Sequence, residues 1–138
     1  MSWADLPPSA AWRHEGARSG FEVAFFSASR PPLSVSGRTT AVEAGEAWAV
    51  DYAIELDEHW RTRTARIIGR SPRGVRSRVL ETDGNGHWLV DGSVADELDG
   101  CLDVDLESSA MTNTFPVHRE ELPLGDETAA PATYVRRR

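Results

Sequence analysis

Acidic side chains recur at every second position in the segment LDGCLDVDLE, at Asp103, Asp105 and Glu107. In an extended chain this spacing places them on one face, about 7 Å apart at a rise of ~3.3 Å per residue. Carboxylates at that distance raise one another's pKa unless cations stand opposite them. The row therefore calls for arginine neighbours, a polar ligand, a metal or open water. Asp103 with Asp105 or Glu107 could also form a glycosidase pair. Retaining enzymes separate their carboxyls by ~5–5.5 Å and inverting ones by ~6.5–9.5 Å, so the spacing does not exclude it. Other chemistries find less support. His14, His59, His87 and His118 are scattered without ligand spacing around Asp99, Asp103 and Asp105, so no metal or other cofactor is expected. Ser108 and Ser109 lack a nucleophile elbow, and Asp83-Gly84-Asn85-Gly86 reads as a hairpin turn, not a phosphate loop.

The cations are segregated from the acids. Trp60 to Leu80 holds seven arginines and no acid, whereas Glu81 to Glu127 is acid-rich with Arg119 its single arginine. Neighbouring strands commonly pair, so Arg61, Arg63 and Arg66 are expected to face Asp103, Asp105 and Glu107 across a sheet. Two readings follow. Arginine forks beside carboxylates can hold the hydroxyls or anionic oxygens of a ligand head group. Alternatively they form a cross-strand ion-pair ladder, worth little per pair on a solvated face. The chain has no lysine at all, so its arginine content alone does not indicate phosphate recognition.

The elements that must position these residues read as strands. Leu98, Leu102, Val104 and Leu106 alternate with the acids, so Leu98 to Arg119 is predicted as a buried strand, a polar turn and a second strand. Ala47 to Asp57 is the clearest strand, with Trp48, Val50, Tyr52, Ile54 and Leu56 on one face. Phe21 to Ala28 is another, in which Phe21, Val23 and Phe25 point one way. Leu33 to Glu43 alternates weakly and is expected at an edge or with a bulge. Trp60 to Arg70, Val75 to Thr82 (Arg76 and Arg78 on one side), and His87 to Asp91 (Trp88 and Val90 inward) continue the series. Ala10 to Glu15 and Tyr134-Val135 supply short strands at the two ends; no stretch shows a long 3.6-residue apolar period, and the sequence allows a short helix near Val94 to Leu98. Turns at such intervals predict a mainly β, largely antiparallel architecture. With 138 residues the chain makes one domain, 10–138, after an N-terminal arm at 1–9 in which Pro7 and Pro8 forbid regular structure.

Aromatic residues offer a second possibility for binding. Trp48, Tyr52, Trp60 and Trp88 line an apolar or sugar-stacking groove, or they are core, and perfect alternation favours core for Trp48 and Tyr52. Asn113, between Thr112 and Thr114, hydrogen-bonds either a ligand or a buried backbone group. Composition narrows the partners. A net charge of −7 and a pI near 5.0 argue against nucleic acid and anionic membranes. No apolar run approaches the ~20 residues that span a bilayer, so no stable membrane anchor is expected. The N-terminus lacks the basic and apolar regions of a signal peptide, which reads as cytoplasmic. The single Cys101 excludes an intramolecular disulfide.

The chain resembles a bacterial glycolipid-binding family of domain-of-unknown-function proteins. The residues that carry the resemblance begin with Trp12-Arg13, Gly20-Phe21-Glu22, Trp48, Val50-Asp51-Tyr52 and Trp60-Arg61-Thr62-Arg63. They continue with Gly86-His87-Trp88, Val90-Asp91-Gly92 and the run from Leu98 through Leu106 to Thr112-Asn113-Thr114. The resemblance implies a single strongly curved antiparallel sheet, a half-barrel with little helix, comparable to lipoprotein carriers that hold acyl chains on a concave face. Family members continue past Tyr134-Val135 with further strands, so the expectation is a sheet missing C-terminal strands or completed by another molecule.

The leading expectation is a non-catalytic module that holds a lipid or glycolipid-like amphiphile on the concave face. Trp48, Tyr52, Trp60 and Trp88 would meet the apolar part, and Arg61, Arg63, Asp103, Asp105 and Asn113 the head. The alternatives are a hydrolase of glycosides or esters through Asp103 and Asp105, and a structural β module that self-associates, as a homodimer, through an incomplete sheet edge.

Overall fold

The computed structural model describes residues 4–137, so residues 1–3 of the expected arm and the last of the terminal arginines lie outside it. Eight strands follow one another along the chain: β1 (Ser9–Arg13), β2 (Arg18–Phe26), β3 (Leu33–Glu43), β4 (Glu46–Leu56), β5 (Thr62–Ser71), β6 (Gly74–Thr82), β7 (Trp88–Val90) and β8 (Ser93–Val94). They form one antiparallel meander in sequence order, curved as a half-barrel and not closed into a barrel. The remaining chain makes a 3-10 turn at Asp96–Leu98, within the stretch where the sequence allows a short helix, β9 (Asp103–Leu106), a second 3-10 turn at Met111–Asn113, helix α1 (Thr114–Arg119) and β10 (Ala132–Val135). β10 pairs with β9 in parallel, apart from the large sheet. No helix among the described residues is long and apolar enough to cross a membrane.

Alternation governs β4 as expected: Trp48, Val50, Tyr52, Ile54 and Leu56 are each buried. Two strand expectations need correction. β3 is not an edge or bulged strand; it pairs in unbroken register with β2 on one side and β4 on the other. Its Ser, Gly and Thr residues weaken the apolar signal because its neighbours, not its own side chains, fill the space. The register irregularity falls instead between Glu55 and Leu56, where β4 meets β5. Secondly, Leu98 to Arg119 contains one strand, not two. Beyond Leu106 the chain turns, and Met111 to Arg119 is 3-10 and α-helical, turning Met111 and Phe115 into the core. In β2, Phe21, Val23 and Phe25 point one way as expected, and that face looks outward, with Phe21 and Phe25 more than half exposed. The inward positions are Glu22 and Ala24, both fully buried.

The inner face of the sheet is covered by the chain's own C-terminal third. Val104, Leu106, Met111 and Phe115, all under 3% exposed, lie on the core built by β2 to β7. Burial of four such side chains contributes roughly 1.5–3 kcal/mol each. Thr62 N donates to Leu102 O at 3.0 Å and Val104 N to Thr62 Oγ1 at 3.2 Å, which fixes β9 against β5. Trp88 Nε1 donates to Cys101 O at 2.9 Å, tying the segment's start to β7.

The outward aromatic face of β2 has a physical cause. Glu22 accepts from Tyr52 Oη at 2.6 Å, from Ser109 Oγ, and from the backbone N–H groups of Ala110 and Met111 at 2.7 and 3.3 Å. A buried carboxylate is tolerated only when its oxygens are satisfied in this way. Burial comes first among the causes that push the Tyr52 phenol far above its ordinary pKa, and the Glu22 carboxylate adds to it, so Tyr52 remains a donor. Tyr52 on β4 reaches Glu22 on β2 by crossing β3 at its register partner Gly37. A Cβ on Gly37 would stand 2.3 Å from the Tyr52 ring. Gly37→Ala is therefore expected to lower stability by about 1–3 kcal/mol through overpacking, read as a shift in the urea denaturation midpoint. An unshifted midpoint would contradict the saddle role of Gly37.

Candidate functional site

The acidic row of β9 does not face the arginines of β5. Asp103 is 1% exposed and pairs with Arg119 of α1, whose Nη2 donates to Asp103 Oδ2 at 2.7 Å. Arg119 Nε also reaches Asp103 Oδ1 at 3.4 Å, and its Nη1 donates to Glu120. Burial raises the Asp103 carboxyl above its ordinary pKa, against the opposing pull of Arg119. Asp105 accepts from Thr112 Oγ1 at 3.5 Å, and Glu107 from Arg137 N at 2.7 Å. The expected partners are engaged elsewhere: Arg61 Nε donates to Asp57 at 2.9 Å and Arg63 Nε to Thr82 O at 3.0 Å. Arg66 sits on the exposed face of β5. The cross-strand ladder is thus replaced by a short-range pair within the covering segment, because the helical turn after β9 brings Arg119 back over it.

The candidate residues fall into separate places. Trp60 and Arg61 share a corner with Asp103's partner Arg119. Trp60 there adopts a left-handed backbone, φ 64°, and stacks on His118 with centroids 4.2 Å apart. Burial would raise the Asp57 carboxyl, but the backbone N–H groups of Arg61 and His59 and the Arg61 guanidinium outweigh it and hold it below its usual range. Burial lowers His118. Tyr52 belongs to the Glu22 cluster. Trp88, 2% exposed, is core by its ring and bonded at its Nε1. Trp48 is buried with Nε1 donating to Glu43 at 3.2 Å. Asn113 is exposed and caps α1 without a side-chain hydrogen bond. Among the described residues, no three His, Cys, Asp or Glu side chains converge as metal ligands.

A different place on the inner face is open. β5 and β6 form one wall of a cleft and β10 the other, enclosing adjoining cavities of about 340 and 260 Å³. Ligand sites commonly fall between ~300 and ~1,000 Å³. The floor is apolar, made by Val50, Ile67, Leu80, Val90 and Leu106. The rim carries Arg76 and Arg78 from β6 with Arg136 and Arg137 from the chain following β10. Period-two alternation puts Arg76 and Arg78 inward, opposite Gly69 and Ile67 of β5. Gly69 keeps this part of the cleft open, since a Cβ there would find its nearest neighbours at 4.0 Å.

The four arginines are not equivalent. Arg78 donates to Asp91 at 2.6 Å. Arg137 lies 4.6 Å over the Trp48 ring and 3.5 Å from Glu43, which anchors the end of β10 to β3 and β4. Arg76 and Arg136 have no acidic partner among the described residues. Thr133 of β10, 3% exposed, also lines the cleft, and its Oγ1 has no hydrogen-bond partner there. Sequence reasoning placed Arg76 and Arg78 on one side of their strand but did not connect them with the C-terminal arginines. No local signal links segments about 60 residues apart. Arg119 did leave a signal, as the single arginine in the acid-rich stretch.

A family profile described as "Putative glycolipid-binding" matches residues 9–138. The fold is similar to a crystal structure of a DUF1089 family protein from Pseudomonas aeruginosa, with TM-score 0.69 and 31% sequence identity over 99% of this chain and 70% of that one. Comparison with curated proteins gives no match.

Asp103→Asn is expected to destabilise the protein by about 3 kcal/mol, the low end for breaking a buried pair because Arg119 keeps Glu120. Chemical denaturation measures this; a loss below about 1 kcal/mol would place Asp103 outside the structural framework.

Proposed function

The chain belongs to the DUF1089 family of glycolipid-binding description, and from that premise we propose that it binds an amphiphile in the arginine-rimmed cleft without catalysing its conversion. The observation that carries this reading is the cleft's division into an apolar floor and a cationic rim within a few residues of each other. An acyl chain laid on Val50, Ile67 and Leu106 gains about 0.8 kcal/mol for each methylene removed from water. The head group then lies against Arg76 and Arg136, whose guanidinium groups are free to donate. The burial of Asp103 beneath Arg119 supports a binding role over hydrolysis, because a carboxyl 1% exposed offers no approach to a substrate.

Native mass spectrometry with lipid extraction of freshly purified protein tests the reading, together with displacement of a fluorescent acyl probe. Gly69→Leu is expected to weaken probe binding by about tenfold or more, since displacing two methylenes from the cleft suffices for that change. Its melting temperature should stay near that of the unmodified protein, because the added side chain enters open space. No co-purifying lipid and no binding across acyl probes would overturn the proposal, as would full-strength binding by folded Gly69→Leu.

A further inference from the structure

The chemistry of the cleft rim selects among head groups. Sugar hydroxyls both donate and accept hydrogen bonds, so a site built for a neutral sugar needs acceptors as well as donors. Neither cavity of the cleft is lined by a carboxylate, an amide or an imidazole, and the side-chain acceptors that line them are the hydroxyls of Ser77, Ser108, Thr133 and Tyr134. The charged side chains that line them are arginines, which donate and never accept. This occurs in a chain with 22 acidic and 15 basic residues, so the concentration of positive charge runs against the composition. Acids around the rim have partners of their own: Asp91 holds Arg78 and Val79 N, Glu43 holds Arg137 and Trp48, and Glu46, which shares a neighbouring pocket with Arg76, lies 3.9 Å from Arg73. Arg76 and Arg136 retain their full donor capacity and reach the cleft from opposite walls.

We infer that the cleft selects an amphiphile whose head carries anionic oxygens, a phosphate, sulfate or carboxylate, in preference to one with a neutral sugar head. This rests on the amphiphile reading of the same cleft and specifies its ligand class. Guanidinium forks from two walls can clasp two oxygens of one anion, an arrangement a hydroxyl cannot repay. The apolar floor directly beneath makes the tail part of the recognition, which separates the ligand from free phosphate. Glu22, Asp103 and Glu107 stay out of the cleft because each has donors of its own.

The test is a set of ligands with one tail and different heads: dodecyl phosphate, dodecyl maltoside and dodecyltrimethylammonium, each below its micelle concentration, with inorganic phosphate as the tail-free control. Isothermal titration is expected to give dodecyl phosphate an affinity about tenfold or more above dodecyl maltoside, from charge-assisted bonds. That preference should shrink as salt rises from roughly 50 to roughly 500 mM. Arg76→Gln with Arg136→Gln should remove the preference by weakening dodecyl phosphate far more than dodecyl maltoside; both side chains are exposed, so the fold should persist, and the melting temperature checks it. Maltoside binding as tightly as dodecyl phosphate would overturn the anionic selection and leave the amphiphile reading standing. Inorganic phosphate binding as tightly as dodecyl phosphate, or no binding of any dodecyl compound, would overturn the amphiphile reading itself.

Discussion

A single buried carboxylate holds the two halves of this fold together. Glu22 sits on β2, yet its hydrogen-bond partners come from β4 and from the turn that follows β9. Left unpartnered, a charge at that depth would cost several kcal/mol. The covering segment must therefore dock where Ser109, Ala110 and Met111 can reach it, and Gly37 must stay bare so that Tyr52 can. Once the turn is docked there, Met111 and Phe115 enter the core and α1 brings Arg119 over Asp103. The outward rotation of Phe21, Val23 and Phe25 follows from the same constraint, since period-two alternation cannot bury Glu22 and those three together.

Much of the sheet was legible in the residues. Uninterrupted alternation in β4 reports a strand with one buried face, and the Asp83 to Gly86 turn lies where β6 folds back toward β7. The failures share a cause. Alternation tells which residues share a face but not which face is inside. In β2 the aromatic face points outward, because a polar cluster assembled from distant segments holds Glu22 inside. The helix after Leu106 was hidden because six residues carry too little periodicity to distinguish helix from strand. Of the arginine, ligand, metal or water that the acids of β9 called for, Asp103 has an arginine, but from its own segment and not from β5.

The cleft shows how charge segregation along a sequence becomes chemistry in space. The arginine-rich stretch forms β5 and β6, and alternation splits its arginines between the two faces. Arg66 and Arg70 go to one side, Arg76 and Arg78 to the other. The inner set meets the arginines after β10 in the cleft. The acidic stretch, by contrast, spends its carboxylates on internal bonds: Asp91 on β6, Asp103 on α1 and Glu107 on the chain after β10. Positive charge is left facing the cavity while the molecule as a whole is negative.

The two walls of that cavity are built to very different standards. One belongs to an eight-stranded sheet, and the other is a four-residue strand bonded to β9 and held at its end by Arg137 against Glu43 and the Trp48 ring. A change of residue on β10 would remodel one wall while the sheet, its register and the Glu22 cluster remain untouched. Cavity width and foldability are thereby decoupled.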